Sequence, residues 1–148
     1  MKAIFAAGLV SIVCGTEHDP SEITREINNT VITCSSSVRL QADASKYFLN
    51  SQGINFGQGS GQQVVTSVGL ADSYDSIWTI KEADRAPTLC ITGQPVLCGD
   101  MIRLEHSTTG KNLHSHSEFR SALSGRQEVS GFGSSGEGDR GDDWIIEC

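Results

Sequence analysis

The sequence predicts an all-β fold, and three observations carry that expectation. Sixteen glycines, many Ser, Thr and Gln residues and only 6% aromatics favour short strands joined by tight turns over helices. Apolar residues fall in short alternating runs, as in "VITCSSSVRLQA", and not at the spacing of a helix face. The chain also repeats itself. A shift of 64 positions lays Cys34 on Cys98, Val38 on Ile102, Leu40 on Leu104, Leu49 on Leu113 and Ser51 on Ser115. The same shift lays Gln63 on Gln127, Val65 on Val129 and Gly69 on Gly133, and Trp78 meets Trp144 after a slip of two. At 148 residues the chain is one domain's worth and buries a real core. A net charge of −7 with no basic face excludes nucleic acid or an anionic membrane surface as the main partner.

The elements follow in order. Residues 1–15, "MKAIFAAGLVSIVCG", place Lys2 before an apolar run and end on Gly15, the pattern of a secretory signal peptide cleaved after Gly15. That run is short for a bilayer, and no later stretch approaches the roughly twenty apolar residues of a spanning helix. Residues 16–30 read as a polar linker with Pro20 and a glycosylation sequon at Asn28. The first unit then reads as four strands, "VITCSSSVRLQA", "KYFLNS", "QQVVTSVG" and "IWTIK". The second repeats them as "VLCGDMIRLEH", "KNLHSH", "RQEVSGF" and "DWIIEC". Gly/Ser tracts supply the turns between them. With Cys14 removed in the signal, Cys34, Cys90, Cys98 and Cys148 remain, an even number that in a secreted chain predicts two disulfides.

"LHSH", "GSGQQ" before a Val, "SGRQEVS", "GEGD" and "DDW" resemble the MIR motifs of the secreted stromal-cell-derived factor 2 family, over about residues 31–148. The resemblance implies a β-trefoil of three four-stranded repeats, of which this chain supplies two: MIR repeat 1 at 31–94 and MIR repeat 2 at 95–148. Cys148 falls where a third repeat would begin, so a truncated domain is expected. The repeat also suggests the bridges Cys34 with Cys90 and Cys98 with Cys148, because each then joins the start and end of one unit in equivalent fashion.

The stretch from Lys111 to Gly133 poses the main chemical question, because His114 and His116 lie two apart and share one face of a strand. A pair so placed can chelate a metal ion. Their counterparts across the repeat are Asn50 and Gln52, which are not ligands, so the expectation is scaffold and no metal: Leu113 inward, the polar residues toward solvent or a shallow groove. "GEGDRGDDW" clusters Glu137, Asp139, Asp142 and Asp143 but breaks the calcium-loop pattern, and reads as a solvated acidic turn. Arg39 and Arg103 read as outward positions that shield a strand edge. "GQGSGQQ" lacks the Lys-Ser/Thr of a phosphate loop, and neither Ser60 nor Ser134 sits in a nucleophile elbow.

No acid/base pair or nucleophile constellation stands out, so no enzyme and no cofactor is expected. The resemblance implies a non-catalytic adaptor of the endoplasmic-reticulum lumen or the secreted space, working in protein quality control with a J-domain co-chaperone and a lumenal heat-shock chaperone. The alternative is a glycan-binding module related to the MIR domains of protein O-mannosyltransferases. Scarce aromatics weigh against it, since Trp78 and Trp144 read as core. The residues expected to form a ligand or partner surface are Asn50, Gln63, His114, His116 and Gln127.

Overall fold

The alternating apolar segments each become a strand. The computed structural model describes residues 31–70, 74–87, 89–122, 124–134 and 137–148. The signal peptide, the linker and Asn28 lie outside the described residues. The strands are β1 (Ser37–Val38), β2 (Phe48–Asn55), β3 (Gln63–Val68), β4 (Trp78–Glu82), β5 (Met101–His106), β6 (Asn112–His114), β7 (Ser130–Phe132) and β8 (Trp144–Ile145). Short 3₁₀ turns at Tyr74–Ser76 and Arg140–Asp142 precede β4 and β8. Each turn leads straight into a tryptophan strand.

All pairings are antiparallel, in one curled sheet ordered β1-β4-β5-β6-β7-β3-β2, with β8 paired to β5. This is an all-β, trefoil-type arrangement carrying two four-stranded repeats. The units interlock twice. β4 runs along β5 from Trp78↔His106 to Glu82↔Ile102, and β3 meets β7 at Gln63↔Gly131 and Val64↔Ser130. β4 therefore has a neighbour on each edge, β1 and β5, whereas its counterpart β8 pairs only with β5 among the described residues.

The repeat extends to turn geometry. After β1, the Lys46 amide donates to the Ala42 carbonyl at 2.8 Å; 64 positions on, the Gly110 amide donates to the His106 carbonyl at 2.8 Å. Both turns need a left-handed residue, with φ of 59° at Lys46 and 67° at Gly110. The second unit fills that position with glycine, which bears no Cβ penalty there.

The core gathers the inward faces of both units: Cys34, Trp78, Ile80, Val96, Ile102, Leu104, Leu113, Trp144 and Ile146. Both tryptophans are core, and each is fixed by its indole N–H, Trp78 donating to the Leu49 carbonyl at 3.3 Å and Trp144 to that of Leu113 at 2.8 Å. Disulfides join Cys34 to Cys90 and Cys98 to Cys148. Arg103 does not shield an edge. β5 is an inner strand, and the Arg103 Nε donates to the Glu82 carbonyl at 2.6 Å, tying β5 to the end of β4. Arg39 is exposed just beyond β1.

Candidate functional site: the polar layer over the hairpins

Strand alternation places Leu49 and Leu113 toward the core and their neighbours Asn50 and His114 on the opposite face. That opposite face is also covered. Asn50 is 1% exposed and His114 1% exposed, because the 3₁₀ turn before each tryptophan folds over them. In the first unit the Asn50 amide Nδ2 donates to Ser76 Oγ at 3.1 Å. In the second, His114 Nδ1 lies 2.9 Å from Asp142 Oδ1, so a neutral amide–hydroxyl contact becomes an imidazole–carboxylate one. The expectation that Asn50 and His114 face solvent is thereby corrected: a layer built by distant sequence covers them.

Gln63 is corrected likewise. It is 2% exposed, and its amide Nε2 donates to Ser51 Oγ at 2.8 Å and to Thr109 Oγ1 at 3.0 Å. Gln127, its counterpart, is half-buried and donates to Ser115 Oγ at 2.9 Å. The retained serines link these amides to the backbone, Ser51 to the Val64 carbonyl at 2.8 Å and Ser115 to that of Glu128 at 2.7 Å. Their retention across the repeat is thus a backbone-pinning requirement. His116 is half-buried, its ring edge-on to His114 at 4.8 Å and to Phe119 at 5.0 Å. The structure therefore brings His114 and His116 together but sets Asn50, Gln63 and Gln127 in separate contacts.

Asp142, read from sequence as part of a solvated loop, is fully buried. Its Oδ2 accepts from the Asp139 amide at 2.8 Å, while Asp139 Oδ1 accepts from the Gly141 amide at 2.7 Å, forming a capping box on the 3₁₀ turn. Such a box satisfies donors that a helical start leaves orphaned. Gly141 is needed for close approach, since a Cβ there would sit 2.4 Å from His114 Cε1. Ligand atoms of His114, Asp139 and Asp142 lie within 4.8 Å of one another. Within that trio His114 Nδ1 lies 2.9 Å from Asp142 Oδ1 and 3.6 Å from Asp139 Oδ1, contacts that tie one turn to one strand.

His106 was not among the expected site residues, although alternation in Ile102, Leu104, His106 points it inward. It is fully buried beside Trp78, ring centroids 5.0 Å apart, with Nδ1 2.9 Å from Thr109 Oγ1 and Nε2 3.0 Å from the Asp75 carbonyl. The carbonyl requires an N–H at Nε2, so Nδ1 accepts from the threonine hydroxyl. Burial holds the His106 pKa below its ordinary value, outweighing the opposing pull of the Asp75 carbonyl and charge. Asp143 is shifted the other way, raised by burial against the Asp84 amide that donates to it at 2.9 Å.

With the geometry in place, comparison with known proteins decides the family. A family model described as the MIR domain matches residues 57–147. The chain belongs to the MIR-domain family. It is similar to mouse stromal cell-derived factor 2, 48% identical over 121 residues that make up 82% of this chain and 56% of the mouse protein. The MIR chain thus spans little more than half the length of that relative. Its fold is similar to the crystal structure of the SDF2-like protein from Arabidopsis thaliana, with TM-score 0.73 and 38% identity, covering 78% of this chain and 62% of that one. It is also similar to part of a protein O-mannosyltransferase complex of Saccharomyces cerevisiae bound to its sugar donor, with TM-score 0.62 and 28% identity, covering 82% of this chain and 18% of that one. The stromal cell-derived factor 2 relatives and the two disulfides fit a secretory-pathway protein. Among the described residues, no helix is long and apolar enough to cross a membrane.

Proposed function

We propose that this MIR-domain chain is a non-catalytic adaptor of the secretory pathway, acting in chaperone-assisted protein quality control alongside a J-domain co-chaperone and a lumenal heat-shock chaperone. The observation that carries the reading is how the polar side chains are used. The buried groups with chemical potential, His106, His114, Asp142, Asn50 and Gln63, bond to the protein's own turns and strands, the arrangement of a scaffold. Meanwhile Leu70, Tyr74, Leu89 and Ile91 are large, apolar and mostly exposed, side chains that another polypeptide could cover. The similarity to stromal cell-derived factor 2 over most of the chain supports the same role. Titration calorimetry of the oxidised chain against a purified lumenal J-domain co-chaperone tests it. Saturable binding that weakens in Leu70→Ser and Leu89→Ser supports the adaptor role, and no heat of binding at any workable concentration sinks it.

A second reading, a glycan-binding module, is favoured by the similarity to the mannosyltransferase complex and by an open polar groove at the edge of the buried layer.

A further inference from the structure

The groove lies where the ends of β3, β6 and β7 meet and has a volume of about 310 Å³. Gly131 and Phe132 lie along it, with Asn55, Gln62, Gln63, Lys111, Ser134 and Glu137 as its polar lining. This lining keeps unspent hydrogen-bonding capacity. Gln62 Oε1 accepts from Ser130 Oγ, which leaves the two N–H groups of the same amide without a partner among the described residues. Lys111 Nζ donates to the Gly133 carbonyl at 2.9 Å, so its charge is anchored beside the groove with two N–H groups to spare. Neither the Glu137 carboxylate nor the Asn55 side-chain amide makes a hydrogen bond among the described residues. Gly131 itself is buried, and a Cβ there would press to 3.2 Å from Gln63 Cβ and 3.5 Å from Lys111 Cβ, so glycine lets these two lining residues pack together at the floor of the groove.

These groups select a chemistry. The groove holds one cation and one anion, so a ligand of either net charge meets one repulsive partner. A neutral ligand bearing several hydroxyls meets none, because each hydroxyl both donates and accepts. It accepts from Lys111, Gln62 and Asn55 and donates to Glu137, while the C–H face of its ring lies on the half-buried Phe132. We propose that this groove binds a neutral hexose unit, such as the terminal residue of a glycan. The inference rests on the second reading above and names its site.

A single open groove of this size implies a Kd on the order of millimolar for a free monosaccharide. The test is amide-resolved NMR of the full oxidised chain, titrated with D-mannose, D-glucose and D-galactose, and with N-acetylneuraminic acid and glucosamine as charged probes. At least one neutral hexose is expected to shift the Gly131–Gly133 and Lys111 amides and the Asn55 and Gln62 side-chain amides. Glu137→Gln and Asn55→Ala, which break no internal hydrogen bond, are each expected to weaken binding about fivefold with the unfolding temperature unchanged. Hexose binding that persists undiminished in both variants, or that shifts amides elsewhere, overturns this site while the glycan reading stands. Stronger binding of either charged probe overturns the neutral-ligand assignment. Absence of any shift at about ten times the stated Kd overturns site and glycan reading together.

Discussion

Exchanging the second unit's buried pair for the first unit's pair tests the polar layer directly. His114→Asn alone leaves Asp142 Oδ1 buried without its donor and removes the ring that packs on Phe132 at 4.6 Å, at a cost of about 2–4 kcal/mol. Asp142→Ser alone strips the acceptor from His114 Nδ1 and from the Asp139 amide, two donors at about 1–3 kcal/mol each, for about 2–6 kcal/mol in all. The double variant recreates the neutral contact that Asn50 and Ser76 make in the first unit. It should cost about 1–3 kcal/mol less than the sum of the singles, the coupling typical of residues in one network. Urea unfolding of the oxidised chain, followed by circular dichroism, measures all four corners of the cycle. If the two losses simply add, within about 0.5 kcal/mol, the pair is not an energetic unit and the reading of the layer is wrong.

Three further outcomes follow from the same contacts. Each bridge closes a long loop, with sequence separations of 56 and 50, so replacing either cysteine pair with serine should cost about 4 kcal/mol by chain entropy; a loss under about 1 kcal/mol in denaturant melts would contradict this. Ser51→Ala should destabilise by about 1–3 kcal/mol and Ser115→Ala by less, since Gln63 is buried whereas the half-exposed Gln127 can turn to water; thermal melts showing the reverse order would count against the assignment. Because burial lowers the His106 pKa, the folded state binds fewer protons there than the unfolded chain. Its contribution to stability is complete above about pH 6.5 and is lost as the pH falls below that value. His106→Gln should therefore flatten the fall of the urea midpoint on acidification, and an unchanged slope would show that other groups govern it.

Much of the architecture was legible because the repeat constrains it. Eight alternating segments gave eight strands, and the 64-residue offset that pairs Leu49 with Leu113 also pairs their carbonyls as acceptors for Trp78 and Trp144. What stayed hidden was the second face of the hairpins. Alternation says that Asn50 and His114 point away from Leu49 and Leu113, which is correct, but not that a turn from 26 or 28 residues downstream covers them. Asp142 was misread for a related reason. Four carboxylates in one short stretch look solvated, and only tertiary contact with His114 and the capping geometry show that one of them is interior. His106 was signalled by the inward rhythm of β5. The repeat masked the signal, because its counterpart, Ala42, is exposed and nothing there resembles an imidazole.

The placement of the bridges bears on how the chain acquires them. Each links cysteines of one unit, while the strand pairings β4 with β5 and β3 with β7 hold the units together. Oxidation can thus be completed inside either half before the halves dock. The nearest thiol neighbours, however, are Cys90 and Cys98, and a short intervening loop closes faster than the native long ones. A Cys90–Cys98 pairing is therefore the expected early product of oxidation, and the native bridges are then reached by thiol exchange.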